Sequence, residues 1–233
     1  MSEQKPVLEF EIYLIRHAQS KANAGIGDPE KLTIADRADP VLSETGLSQA
    51  EKLGAYLSAT PFTCVYSSAL KRAAHTAAFV VKNQADNVKH FMMPLLTENG
   101  MGRDYEGASA GELKEIAPNA VLIPEHPEDA PVLYYNDYKD DESHFKRAKE
   151  VTEYLKSHHG NGEKICVVSH AAFITFLVFH LMGLEKTPVF DINFTNTGIT
   201  RIQFYKAGTN KYGDIIFDYI NAAPHLSDEM KTK

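Results

Sequence analysis

Lys164-Ile165-Cys166-Val167-Val168-Ser169-His170-Ala171 passes from an uninterrupted β-prone run into a polar break, and residues 171–182 that follow are almost wholly apolar up to Gly183. A strand with no polar alternation belongs inside a sheet covered on both faces. An apolar stretch of this length closed by glycine reads as a buried helix. Strand, tight turn and helix thus succeed one another with no room for a hairpin. That order predicts an α/β fold, a three-layer α/β/α sandwich in which helices carry the chain across a mostly parallel sheet.

The same pattern extends outward. Residues 9–15 read as a strand that breaks at Arg16-His17. Leu47, Ala50, Leu53 and Leu57 recur at helical spacing behind a candidate N-cap, Ser43, until Pro61 ends the run. Residues 62–66 form a short strand. Ser67 and Ser68 stand where they can cap the next helix, whose stripe is Leu70, Ala73, Ala74, Ala77, Val80 and Val81, with Arg72 in its first turn. Phe145, Ala148, Val151 and Leu155 mark another helix, and residues 198–205 and 214–219 two closing strands. Residues 28–40, bounded by prolines, read as a surface loop. Residues 94–138 are weakly periodic, with one short helix near 112–117. The expectation is a single domain over 1–233 carrying a loop-rich insertion at about 94–140 above the site.

Composition narrows the function. At 43% apolar and 24% charged residues the chain has an ordinary globular make-up. A formal net charge of -7 argues against a general nucleic-acid binder, which needs a basic face to displace phosphate counterions. No basic segment leads into an apolar one at the amino terminus, and residues 171–182 are too few to span a bilayer, so no membrane partner and a cytoplasmic setting are expected. Cys64 and Cys166 each sit in an apolar run, which predicts buried thiols rather than a disulfide or a metal pair.

Three strands end in matched polar groups: Ile15 runs into Arg16-His17, Tyr66 into Ser67-Ser68 and then Arg72, Val168 into Ser169-His170. Residues just past the carboxyl ends of strands in an open sheet collect in one crevice. Two imidazoles with two guanidiniums suit nucleophilic chemistry near neutral pH on an anionic substrate. Elsewhere, His158-His159 in a polar turn read as solvated, His75 and His180 as packing or surface residues on helices, and the acidic runs 125–129 and 137–142 as solvated loop.

Arg16-His17-Ala18-Gln19-Ser20-Lys21-Ala22-Asn23 resembles the Arg-His-Gly-x-Ser-x-x-Asn signature of the histidine phosphatase superfamily, whose fold is phosphoglycerate mutase-like. Residues 42–50 resemble that family's first helix start, residues 66–77 its second arginine segment, residues 96–98 with 105–107 the stretch bearing its acid, and Ser169-His170 its second histidine. The resemblance implies a metal-independent phosphomonoester hydrolase with no organic cofactor, acting on a phosphorylated small molecule. His17 would become a phosphohistidine, and Glu98 would protonate the departing oxygen and later activate water. Arg16, Arg72 and His170 would hold the phosphoryl oxygens, with a hydrogen bond from Asn23. Alignment and charge stabilisation are most of what phosphoryl transfer demands.

A phosphoglycerate mutase using the same intermediate and a silent phosphoryl-binding module are the alternatives. The absence of a Glu-Arg-x-Tyr-Gly stretch around Glu98 favours hydrolysis, and retention of Arg16, His17, Arg72, Glu98 and His170 favours an enzyme. Glu106 is a second candidate acid. Ala18 and Ala171 stand where the family has glycine, and their methyl groups are expected either to tighten the pocket or to shift the substrate. No feature of the sequence selects one phosphomonoester or an oligomeric state.

Overall fold

β5 (Glu163–Ser169) lies at the middle of a seven-stranded sheet, buried from Ile165 onward as its unbroken apolar run requires. The computed structural model describes residues 5–28, 30–99, 105–124 and 140–233. The other strands are β1 (Leu8–Arg16), β2 (Cys64–Ser67), β3 (Lys89–Met92), β4 (Ala120–Leu122), β6 (Ile199–Tyr205) and β7 (Ile215–Ala222). They are ordered β4-β3-β2-β5-β1-β6-β7. The first five are mutually parallel, whereas β6 and β7 add as antiparallel neighbours beside β1.

The helices are α1 (Ile34–Ala38), α2 (Glu44–Leu57), α3 (Lys71–Lys82), α4 (Ala110–Ile116), α5 (Asp141–His158) and α6 (Ala171–Leu181). One face of the sheet gives Tyr13, Ile15, Val65, Cys166 and Val168 to a core shared with Leu53 and Leu57 of α2 and Ala73, Ala77 and Val80 of α3. The other gives Phe10, Ile12, Leu14, Ile165 and Val167 to a core with Val151 and Leu155 of α5 and Phe173, Ile174 and Leu177 of α6. There Phe10 and Phe204 stack at 4.5 Å, an arrangement worth about 0.5–1.5 kcal/mol beyond area burial. The three layers follow from β1 and β5, whose residues alternate between two apolar cores. Cys64 and Cys166 are buried free thiols, as their settings predict, and burial pushes the Cys64 thiol up to about 12.

Three local expectations need correction, and one strand was not anticipated. Residues 28–40 are not all loop: α1 forms inside them, held by a reciprocal capping box between Thr33 and Asp36. Neither Ser67 nor Ser68 occupies the N-cap of α3; Leu70 does, without a side-chain cap, and Asp39 supplies one from a distance by accepting a 2.8 Å hydrogen bond from the Lys71 amide. β3 was not anticipated: its inward residues are His90 and Met92, and the first reads as polar yet is buried. The 94–140 region is partly built into the sandwich, since α4 packs on α3 and the three-residue β4 extends the sheet beyond β3. The expected placement of that region over the site, and the acidic run 125–129, fall mostly or wholly outside the described residues. Asp140, Asp141 and Glu142 are described, and they form the N-cap and acidic first turn of α5. Among the described residues, no helix is long and apolar enough to cross a membrane.

Candidate active site

The three strand ends singled out above meet at the carboxyl edge of the parallel strands. Backbone bonds carry the pairing past the strands: the His17 amide donates to Ser169 O at 2.9 Å and the Ser68 amide to Val168 O at 3.0 Å. The rings of His17 and His170 lie 5.0 Å apart, centroid to centroid. Arg72, one residue into α3, reaches back so that its Nε donates to His17 Nε2 at 3.3 Å.

The imidazole of His17 is held in one tautomer. Its Nδ1 is 2.7 Å from Ala18 O, and a carbonyl can only accept, so Nδ1 carries the proton. Nε2 is left with its lone pair directed to the Arg72 side. Burial, followed by the Arg72 and Arg16 charges, holds the pKa of His17 well below the ordinary histidine range. His170 is fully buried and is depressed by the same causes, desolvation first and then Arg72 and His17. Neither of its ring nitrogens has a partner among the described residues. Arg16 donates through a terminal nitrogen to Phe194 O, while its buried Nε has no such partner.

Arg72 is backed by Asp39, whose Oδ1 lies 3.5 Å from its guanidinium, and it also donates to Ala38 O at 3.3 Å. The Asp39 carboxyl accepts a further bond from the Tyr105 hydroxyl at 3.1 Å. Burial outweighs these partners and pushes its pKa up to about 6. Sequence reading missed Asp39 because its stretch looked like solvated loop. The usable signal was an acid one residue before a proline and far from any other cap for α3.

Glu98 sits at the amino end of α6. Its Oε1 accepts from the Phe173 amide at 3.1 Å and the Asn99 amide at 2.9 Å, and Oε2 from the Ala172 amide at 3.4 Å. Ser169 Oγ donates to Leu96 O at 2.7 Å, tying the acid's segment to the end of β5. The Glu98 charge raises the pKa values of both Arg16 and Arg72 against the opposite effect of burial, so it lies within the field of the cationic cluster. The structure thus brings together His17, His170, Arg16, Arg72 and Glu98. It does not bring in Asn23, which is exposed and whose Oδ1 accepts from the amide and hydroxyl of Ser20. Glu106 is also exposed, beside the buried Tyr105.

The two alanines differ from expectation. Ala18 is fully buried and packs with Leu42 and Ala50 of the α2 side, while its amide donates to Thr76 Oγ1 at 3.0 Å. Ala171 packs toward the α5/α6 core. Neither has a positive φ, so neither backbone needs glycine.

Behind His17 stands a network the sequence did not reveal. Asn196 Nδ2 donates to His17 O at 3.0 Å. Asn196 in turn is held by Thr232, whose hydroxyl donates to Asn196 Oδ1 and whose carbonyl accepts from the Asn196 amide, both at 2.9 Å. Gln49 on α2 joins the same tail to the same turn: its Nε2 donates to Met230 O and Thr232 Oγ1, and its Oε1 accepts from the Gln19 amide at 2.8 Å. α2 can approach so closely because its first turn carries Gly46, where a Cβ would lie 1.9 Å from Gln19 O.

Other described histidines pack away from this cluster. His158 ends α5 and stacks on Tyr154, and His159, expected to be solvated, is instead bound by Tyr66 and Glu163; His75 tilts against Phe79. Among the described residues no three histidine, cysteine or acidic side chains are grouped to hold a metal ion.

Two buried histidines, two arginines and a carboxylate on the strand ends of an α/β/α sandwich are the arrangement of a histidine phosphatase. A sequence profile of the histidine phosphatase superfamily (branch 1) matches residues 12–212, and the chain belongs to that superfamily. Fructose-2,6-bisphosphatase TIGAR of Xenopus laevis is 36% identical over 113 residues, which are 48% of this chain and 39% of that protein. The chain therefore spans about two fifths of that relative's length. A putative phosphoserine phosphatase 2 of Hydrogenobacter thermophilus is 27% identical over 192 residues, 82% of this chain and 88% of that one. The solved structure of phosphoserine phosphatase from Entamoeba histolytica in complex with 3-phosphoglyceric acid matches with a TM-score of 0.62 at 22% identity, covering 94% of this chain and all of that one.

Proposed function

We propose that this protein hydrolyses the phosphomonoester of a small molecule through a phosphohistidine on His17. The observation that carries the reading is the tautomer of His17: Nδ1–H on Ala18 O leaves Nε2 as a lone-pair nucleophile beside Arg72. Attack of Nε2 on phosphorus forms the P–N bond as the P–O bond to the leaving group breaks, and Glu98 gives its proton to the departing oxygen. Glu98, now a carboxylate, takes a proton from water as that water attacks phosphorus and the P–N bond breaks, its electron pair returning to Nε2 of His17. Inorganic phosphate leaves and His17 returns to its neutral form.

Arg16 and Arg72 stabilise the equatorial oxygens as charge develops there. His170 contributes once the phosphoryl group's negative charge offsets the burial that otherwise keeps its ring neutral. The depressed pKa of His17 keeps the nucleophile unprotonated even below pH ~6.5, where an ordinary histidine would take up its proton.

The test is incubation with a 32P-labelled phosphomonoester and recovery of acid-labile, alkali-stable label on the protein. Label is expected on the wild type, absent from His17→Ala and retained by Glu98→Gln when the leaving group is a nitrophenol. Absence of both turnover and label from the wild type would refute the reading. Parallel incubation with phosphoglycerate separates hydrolysis from mutase chemistry: phosphate release is expected to outpace isomerisation.

A further inference from the structure

Arg147, on α5, is buried to 1% exposure and takes no part in the reading above. Holding a guanidinium away from water is costly, and an apolar side chain of similar volume is often no worse for stability. What the guanidinium supplies here is direction. One terminal nitrogen donates to Thr97 O at 2.7 Å, and the other donates to Asn99 Oδ1. Its plane lies 4.6 Å over the ring of Phe173. The two residues it grips flank Glu98, and the ring it covers belongs to the residue whose amide binds the Glu98 carboxylate.

We propose that Arg147 is a positioning residue for Glu98, fixing the carboxyl from both sides of its own backbone and from the α6 turn on which it rests. The inference depends on Glu98 being the proton donor. Asn99 works in both directions: its side chain is bound by Arg147 and its amide donates to Glu98 Oε1. A guanidinium fork spans the two acceptors at once, whereas a lysine ammonium at the end of its stem is a point donor.

An acid that is present but misplaced leaves a particular kinetic signature. A nitrophenyl phosphate expels a stable anion and hardly needs protonation, while an alkyl phosphate cannot leave without it. Glu98→Gln supplies the reference: it is expected to slow the alkyl ester far more than the aryl ester. Arg147→Met and Asn99→Ala are expected to show the same bias, with kcat for the alkyl ester falling at least ~10-fold further than kcat for the nitrophenyl ester. Arg147→Lys is expected to recover part of the alkyl-ester rate. Equal slowing of both esters, or no slowing, in folded Arg147→Met and Asn99→Ala would overturn the proposal. Asn99→Ala decides alone if Arg147→Met does not fold, since it leaves the buried charge in place. If Glu98→Gln itself shows no bias, the failure lies in the acid assignment and takes this inference with it. If Glu98→Gln shows the bias and the other two variants do not, only the Arg147 inference falls.

Discussion

Replacing Asp39 by Asn is expected to make the protein more stable at neutral pH, although it removes half of a buried ion pair. Asp39 faces Arg72 at 3.5 Å, caps α3 through the Lys71 amide and accepts from Tyr105, yet its folded pKa rises from 3.8 to about 6 because burial outweighs all three. A raised acid binds its proton more tightly in the folded state than in the unfolded chain. The resulting stability is therefore complete below pH ~3.8 and is lost as pH climbs through about 6. At ~1.4 kcal/mol per pH unit the loss at pH 7.5 is ~3 kcal/mol. Asn keeps an oxygen for the Lys71 amide and can donate to the Tyr105 oxygen, but it carries no charge to desolvate. For a chain of this size the gain corresponds to a rise in Tm of roughly 6–12 °C. Thermal unfolding of wild type and Asp39→Asn at pH 7.5 and at pH 4 tests this. The two are expected to differ at the higher pH and converge at the lower. A variant that melts at or below the wild type at pH 7.5, or a gap that persists at pH 4, would refute the reasoning.

Two further outcomes follow from other close contacts. Gly46→Ala drives a methyl into Gln19 O, two residues past His17, whereas Gly54→Ala meets Phe79 O, 2.4 Å from its Cβ, away from the site. Both should lose about 1–3 kcal/mol or more in denaturant unfolding, and only Gly46→Ala should also lower kcat. His90, which shares a 2.8 Å hydrogen bond with Ser67, is lowered by burial to about 4. A histidine depressed in this way contributes stability above pH ~6.5 that is lost as pH falls toward 4, up to ~3 kcal/mol. His90→Asn should flatten the acid limb of a stability–pH profile, and an unchanged limb would show that His90 is not its source.

What the sequence made legible was whatever repeats or stands at a strand end. β5 announced itself because a strand buried on both faces is continuously apolar, β1 because only Glu9 and Glu11 interrupt its apolar run before Arg16, and α2, α3 and α6 because their apolar stripes recur at helical spacing. The family signature then assigned roles to residues that pattern alone could only collect. The chain hid what depends on distant partners. β3 was obscured by a histidine that is polar in sequence but buried against Ser67. The cap of α3 comes from Asp39, 32 positions away. Asn196 and Arg147 belong to segments whose local pattern says nothing of His17 or Glu98. The alanines after each histidine misled for a different reason: motif position does not give the direction of a methyl group, and that of Ala18 points into the α2 packing.

The hydrogen bonds from Met230 and Thr232 also bear on how the protein is handled. Because those residues brace Asn196 and Gln49, and through them the turn that carries His17, a proteolytic nick around residues 230–232 would be read as altered turnover rather than altered solubility. Preparations compared for activity should first be shown by intact mass to retain the segment from Met230 to Thr232.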